Sequence, residues 1–263
     1  MAKARIGTCG WSYGVWRGVF YPEHLRPSQW LSLYAQHFDT VEVNASFYHL
    51  PKEATVRRWV SETPPGFCFA VKAWRAITHY RRLADCTELV ATFFARLEAF
   101  GEKLGPVLFQ LPPRFPAEPK RLEAFLACLP CGHRYAFEFR DPSWHCQPVY
   151  ELLNRAGAAF CPFDLAGLVS PRVTTADFTY VRLHGHAQRY RGSYSDALLH
   201  DWASWLSSQL TKGLNLWVFF DNTDEAANAV FDAKRLRALL ARSFEAGLGN
   251  LKADPTTNKT GTI

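Results

Sequence analysis

Eight short runs with strand character lie along the chain, and most of them end in an ionisable or amide side chain: Glu42 and Asn44, Lys72, Gln110, Glu138 and Arg140, Asp164, Arg182 and His184, Asp221. The runs fall near residues 5–9, 40–44, 68–72, 107–111, 135–140, 159–164, 180–184 and 215–221. Most are separated by an amphipathic helical pattern. Residues 27–38 carry Trp30, Leu31, Tyr34 and Phe38 on one face, and residues 88–104 carry Leu89, Phe93, Leu97 and Phe100 at helical spacing. Further helices are expected over 52–62, 119–129, 148–156, 197–210 and 225–242.

Alternating strands and helices specify parallel βα units. A chain of 263 residues is close to the roughly 250 typical of a (β/α)8 barrel. The expected fold is therefore α/β, a single TIM-type (β/α)8 barrel over residues 1–242. No helix is legible between Asp164 and Tyr180, where Pro171, Val173, Thr174 and Thr175 stand, so an irregular crossover is expected between strands six and seven. Residues 243–263, rich in Gly, Thr, Asn and Lys, are expected to form a weakly ordered tail.

Strand parity turns this architecture into a candidate site. Alternate side chains of a barrel strand face the helices and the interior. In Val41-Glu42-Val43-Asn44, Phe69-Ala70-Val71-Lys72, Phe137-Glu138-Phe139-Arg140 and Val181-Arg182-Leu183-His184, the larger apolar members suit the helix side. The polar members then point inward at the C-terminal ends of the strands, where barrel enzymes keep their chemistry. Buried charges cost several kcal/mol unless partnered, so these groups are expected to pair with one another or with a ligand.

Several protein classes are disfavoured. No run of 18 apolar residues exists, and the chain begins Met-Ala-Lys-Ala-Arg-Ile without an apolar leader segment, so neither membrane insertion nor export is expected and the localisation reads as cytoplasmic. Seven cysteines make an odd number without framework spacing, which suits reduced thiols; the lone C-x-x-C, Cys128 to Cys131, has no second pair to complete a zinc site. Neither a G-x-x-x-x-G-K-[ST] nor a strand-linked G-x-G-x-x-G is present, so no dinucleotide cofactor is expected. The net charge of +6, with Arg81-Arg82 and Arg189–Arg191 as clusters, favours anionic partners, although each cluster is equally readable as solvated surface.

The same residues carry a resemblance to a known family. Gly7-Thr8-Cys9-Gly10-Trp11-Ser12-Tyr13 with Trp16, Gly18 and Phe20-Tyr21-Pro22, and Val41-Glu42-Val43-Asn44 with Phe47-Tyr48 and Pro51, stand beside Phe109-Gln110-Leu111-Pro112-Pro113. They are joined by Glu138-Phe139-Arg140 with Trp144, Arg182-Leu183-His184-Gly185 with Tyr190, Gly192 and Tyr194, and Phe220-Asp221-Asn222-Thr223. Together they resemble the YecE-like family, a bacterial and archaeal domain of unknown function, over nearly the whole chain. The resemblance implies a TIM-type barrel and brings no established reaction.

Roles follow from the side chains themselves. Glu138 and Glu42 are candidates for general acid or base, with His184 as proton partner; the alternative for each is a structural partner of Lys72, Arg140 or Arg182. Arg140, Arg182 and Lys72 suit a carboxylate or phosphate, and Asn44 and Gln110 suit orienting it. Asp164, Asp221 and Asn222 are further substrate-contact candidates, with helix capping as the competing role for the last two. Among the post-strand aromatics, Trp11, Tyr48 and Trp144 are candidates for stacking on a sugar or base, with sealing the top of the barrel as the competing role, while Tyr190 and Tyr194 flank Gly192 in the loop after strand seven, where barrels often hold phosphate. Glu42, Glu138, Asp164, His184 and Asp221 have metal-ligating chemistry, but the interleaved cations oppose a divalent ion, so no cofactor is expected, with a divalent metal as the alternative. Glycoside hydrolysis would use the carboxylate pair, yet the cations suit an anionic substrate better.

The expected function is an enzyme, hydrolytic or phosphoester-directed, acting on an anionic, phosphate-bearing small molecule or nucleic-acid fragment. The competing readings are a nucleic-acid-binding protein without catalysis and a non-catalytic small-anion sensor. Composition leaves the oligomeric state open.

Overall fold

The computed structural model of the protein describes residues 2–251. The strands among the described residues are β1 (Ala4–Thr8), β2 (Thr40–Val43), β3 (Cys68–Lys72), β4 (Leu104–Leu111), β5 (Tyr135–Phe139), β6 (Ala159–Phe160), β7 (Phe163–Leu165), β8 (Leu168–Val169), β9 (Phe178–Leu183) and β10 (Asn215–Phe220). The α-helices are α1 (Trp30–His37), α2 (Ala45–Tyr48), α3 (Glu53–Ser61), α4 (Thr87–Leu97), α5 (Pro119–Ala127), α6 (Gln147–Arg155), α7 (Asp196–Thr211) and α8 (Asn228–Leu251). Of the expected tail, 243–251 continue α8 and 252–263 lie outside the described residues. No helix among the described residues is long and apolar enough to cross a membrane.

The strands form two five-stranded sheets, β1-β10-β9-β7-β8 and β2-β3-β4-β5-β6, and every pairing is parallel except β7 with β8. The expected sixth strand is thus two. Cys161 N–H donates to Phe137 on β5, whereas Arg182 N–H of β9 donates to Pro162 C=O. Proline has no N–H to continue a ladder, and the chain changes partner there. The following crossover is a short antiparallel hairpin, β7 to β8, in place of a helix.

The other seam lies between β1 and β2. They share one parallel bridge, Cys9 with Glu42, so the hydrogen-bonded ladder does not close there. A side chain fills the gap: Thr8 N–H donates to Tyr34 Oη at 2.9 Å, and Tyr34 O–H donates to Thr40 C=O at 3.1 Å. Gly7 permits this close approach, since a Cβ on it would stand 2.4 Å from Thr40 O.

Two apolar regions flank the strands. The larger packs the helices on the outward side chains, including Val41, Val43, Phe69, Phe137, Phe139, Val181 and Leu183. The smaller fills the interior, where Ala70, Ala136, Ala159, Cys68 and Cys161 face Phe178, Tyr180, Trp217 and Phe219. Small residues on β3, β5 and β6 accommodate aromatic rings from β9 and β10, so the interior is filled. Its polar end carries the site.

Two elements differ from the sequence expectation. Helix 88–104 stops at Leu97, and a short 3-10 turn, with Gly101 at φ 53°, leads directly into β4. After β3 the chain makes a π-helical turn, Ala76–Tyr80, which no periodicity announced.

Candidate active site

Arg182 projects from β9 into the interior and is fully buried. Its Nη1 donates to Glu138 Oε2 at 2.6 Å and its Nη2 to Glu42 Oε1 at 2.8 Å. The second oxygen of each carboxylate is also engaged. Arg140 Nε donates to Glu138 Oε1 at 2.7 Å, and Tyr180 O–H donates to Glu42 Oε2 at 2.6 Å. Arg182 Nη2 further lies 3.5 Å from Asp221 Oδ2 and from Cys9 Sγ. Asp221 in turn accepts from His184 Nδ1 at 2.9 Å, and His184 Nε2 stands 3.4 Å from Glu138 Oε2 outside hydrogen-bond geometry.

Strands β2, β5, β9 and β10 thus bring acids and bases from distant parts of the chain around one guanidinium. Burial drives the Glu138 carboxyl toward its neutral form, but Arg182, then Arg140 and His184, more than offset this and hold it well below the usual carboxylate range. Asp221 is likewise lowered: burial acts against its charge, and the His184 hydrogen bond with Arg182 outweighs it. Burial pushes the Cys9 thiol well up, which keeps it an unreactive neutral group.

A cavity of about 490 Å³ opens beside this cluster. Among the predicted residues it is lined by Asn44, Tyr48, Lys72, Gln110, Arg140, Tyr190 and Asp221. Arg140 Nη1 donates to Tyr190 Oη at 3.1 Å, and Tyr190 also stands edge-on to His184. Asn44 Oδ1 is buried without a hydrogen-bond partner among the described residues. Gln110 Nε2 donates to Leu111 C=O at 2.6 Å.

Lys72 differs from the other charges. Its Nζ lies 4.2 Å from the centre of the Phe47 ring, and among the described residues it has neither a hydrogen bond nor a carboxylate within 4.0 Å. Burial and the nearby Arg182 lower its pKa to about 8, despite the opposing pull of Glu138, Glu42 and Asp221. Among the described residues it is the one lysine lining this cavity.

The remaining predicted residues lie elsewhere. Glu42, Glu138, Arg182 and His184 are fully buried and sit behind the cavity wall, not on it. Asp164 does not join them; its Oδ2 accepts from His186 Nδ1 at 2.9 Å. Alternation runs unbroken from Ala159 and Cys161, which face the interior, so Phe163 stands level with Arg182 and Asp164 with the outward Leu183. Trp11 packs edge-on to Trp59 and Phe69 in the helix-facing layer. Trp144 stacks on Phe139 and donates from Nε1 to Phe115 C=O at 2.6 Å, on the same outer side. Tyr194 is buried beneath its loop, where its Oη accepts from Gly185 N–H at 3.1 Å. Asn222 donates to Gly192 C=O and to Asp232 on α8, both at 2.8 Å, and so ties that loop to the helix.

The acids offered as metal ligands also have different surroundings. Glu42, Glu138 and Asp221 surround the Arg182 guanidinium, which fills the centre a cation would need. Among the described residues no three His, Cys, Asp or Glu side chains are arranged to hold a metal ion.

Five cavity residues lay outside the predicted site: Tyr13, Phe47, His79, Pro113 and Thr223. Tyr13 and Phe47 were legible only as aromatics following a strand, and Thr223 as a neighbour of Asp221. His79 had no signal in one dimension, because the π-helical turn after β3 is what swings it inward. Burial, with Lys72 and Arg140 nearby, lowers its pKa to about 4, so it is a neutral imidazole at pH 7.

Parallel strands and a polar, ion-paired cluster at their C-terminal ends define an α/β protein of barrel-like architecture with one candidate centre. Residues 5–258 match the family described as "Protein of unknown function DUF72", and the chain belongs to that family. The UPF0759 protein YunF of Bacillus subtilis is 28% identical over 272 aligned residues, covering 89% of this chain and 94% of YunF. The UPF0759 protein YecE of Escherichia coli K12 is 34% identical over 152 residues, covering 57% of this chain and 53% of YecE. A DUF72 crystal structure from Thermotoga maritima superposes with a TM-score of 0.82 at 30% identity, over 91% of this chain and 99% of the other. A xylose isomerase-like TIM barrel fused to a 4-hydroxyphenylpyruvate dioxygenase shares the fold at a TM-score of 0.57 and 15% identity, over 97% of this chain and 46% of the fusion.

Proposed function

We propose that the two sheets act as one TIM-type barrel, and that the cavity at its strand ends is an enzyme active site for a small anionic, phosphate-bearing molecule. The observation that carries this reading is the division of charge. Glu42 and Glu138 are satisfied internally by guanidinium and hydroxyl donors, while Arg140 and Lys72 reach the cavity against the single carboxylate of Asp221. Arg140 is the anion anchor, because its guanidinium is held in place by Glu138 and Tyr190 and keeps its charge. Arg182 sets the positions of the two glutamates and does not contact the ligand. Asn44 and Gln110 orient the substrate, and Lys72 with the Asp221–His184 pair supplies proton transfer.

Titration calorimetry with inorganic phosphate tests the anchor. Arg140→Gln is expected to weaken binding by about ten- to a hundredfold, the size of one charge-assisted hydrogen bond. Phosphate affinity unchanged by the substitution, in a protein of unchanged melting temperature, would reject the assignment.

One further observation supports nucleic-acid binding as a second reading. Tyr48 and Tyr80 are 54% and 68% exposed, and the Arg75 guanidinium lies 5.5 and 5.4 Å from their rings. Exposed rings with an arginine at a cavity rim can stack single-stranded bases. Binding of an oligonucleotide that weakens with salt and survives Arg140→Gln would favour it over the small-molecule reading.

A further inference from the structure

We infer that Lys72 is a covalent catalyst, forming a Schiff base with a ketone or aldehyde carried by the anionic substrate. The inference rests on the reading above and narrows it to carbonyl compounds bearing a phosphate.

Three features of the cavity wall point there. First, the lysine occupies the end of β3, a rigid element, and its Nζ is covered on one side by the Phe47 ring at 4.2 Å. A lysine serving only as a structural ion would be expected to meet a carboxylate, and those of this cluster are already taken by Arg182, Arg140, Tyr180 and His184. Secondly, burial is the largest influence favouring release of its proton, with the Arg182 charge next. Arg182 lies behind it and Arg140 shares its wall, with Glu42, Glu138 and Asp221 as the opposing carboxylates and His79 as a neutral neighbour. Desolvation beside a second cation is a general way to activate a lysine amine. Thirdly, the same wall offers what the rest of the reaction needs. Asp221 is an ionised base, and Asn44 Oδ1 is a buried acceptor with no partner among the described residues.

The chemistry balances within these groups. The Lys72 ammonium gives one proton to Asp221 through water in the cavity, and its lone pair attacks the carbonyl carbon, forming a C–N bond as the C=O π pair moves to oxygen. Proton transfer from nitrogen to that oxygen gives a neutral carbinolamine. The proton returned from Asp221 then helps the hydroxyl leave as water, while the nitrogen pair closes the C=N bond. The sum is ammonium plus carbonyl giving a protonated imine and one water. The imine withdraws electrons from the neighbouring carbon, which permits proton removal or carbon–carbon cleavage there. Arg140 meanwhile holds the phosphate.

The test uses the full chain with dihydroxyacetone phosphate and, separately, pyridoxal 5′-phosphate, each with sodium cyanoborohydride, which adds hydride to the imine carbon and fixes a secondary amine. Intact mass and peptide mapping are expected to find one saturable adduct at Lys72, formed at least about tenfold faster than at any other lysine. Lys72→Met and Lys72→Arg are both expected to lose it; the arginine variant keeps the charge and so answers the objection that the methionine variant is misfolded. An adduct that persists in both variants, or labelling spread evenly over surface lysines, would overturn the inference. Inorganic phosphate separates this from the underlying reading. Calorimetric phosphate binding without a Lys72 adduct overturns the covalent step alone, whereas a Lys72 adduct that phosphate does not suppress and Arg140→Gln does not slow overturns the phosphate-bearing substrate class.

Discussion

At the scale of single residues, the site separates charges that stabilise from charges that are available. Glu138 accepts from two guanidinium groups, and replacing it with Gln leaves Arg182 and Arg140 short of a counter-charge in a dry interior. Removal of one partner from such a pair typically costs about 3–5 kcal/mol. Glu138→Gln is therefore expected to lower the urea midpoint and activity together, while loss of activity at unchanged midpoint would return Glu138 to the acid/base role its strand position suggested. Because its folded pKa lies below the ordinary 4.5, its contribution is fully present above that value and is lost as the pH falls through the folded pKa. Lys72 has the opposite sense. With a folded pKa near 8 against an ordinary 10.5, the unfolded chain binds a proton that the folded one has released, so this group's contribution improves as pH rises between those values. Lys72→Met is expected to be more stable than wild type below pH 8, with the gap narrowing toward 10.5. Denaturant melts on either side of that window check it, and a gap independent of pH would contradict the assigned shift.

At the scale of elements, the weakest pairing is β1 with β2, where one tyrosine stands in for the missing ladder. Tyr34→Phe preserves the ring packing but leaves Thr8 N–H and Thr40 C=O buried without that partner. A buried unsatisfied group costs about 1–3 kcal/mol, so a destabilisation of that order is expected, with faster exchange of the Thr8 amide. An unchanged melt would show that the seam is held by the Cys9–Glu42 bridge instead. The elements also explain which predicted residues missed the cavity. Counting every second residue succeeds along β2, β3, β5 and β9, because each is continuous to its end. The same count, run through Ala159, Cys161 and Phe163, places Asp164 outward despite its position at a strand end, and it gives no guide for Trp11, Trp144 and Tyr194 because residues after a strand end obey no fixed alternation.

At the scale of the whole molecule, an interior of small residues on one sheet and aromatic rings on the other leaves little spare volume. Ala136→Leu would add a branched alkyl group inside the buried cluster that also holds Tyr180 and Phe178. Overpacking of this kind costs about 1–3 kcal/mol, measurable by thermal melting, and a neutral result would reveal an unfilled interior. Amino-acid order alone was enough to establish parallel βα units, the family resemblance and the convergence of Glu42, Glu138, Arg140, Arg182, His184 and Lys72, since these follow from local periodicity and from the common direction of the strands. What it could not assign was partnership. Whether an inward charge meets a counter-ion or an open cavity depends on distances between segments more than a hundred residues apart, such as Tyr180 and Glu42 or Arg182 and Glu42. Those distances made Arg182 a structural hub, placed the glutamates behind the wall, brought in His79 and left Lys72 lining the cavity.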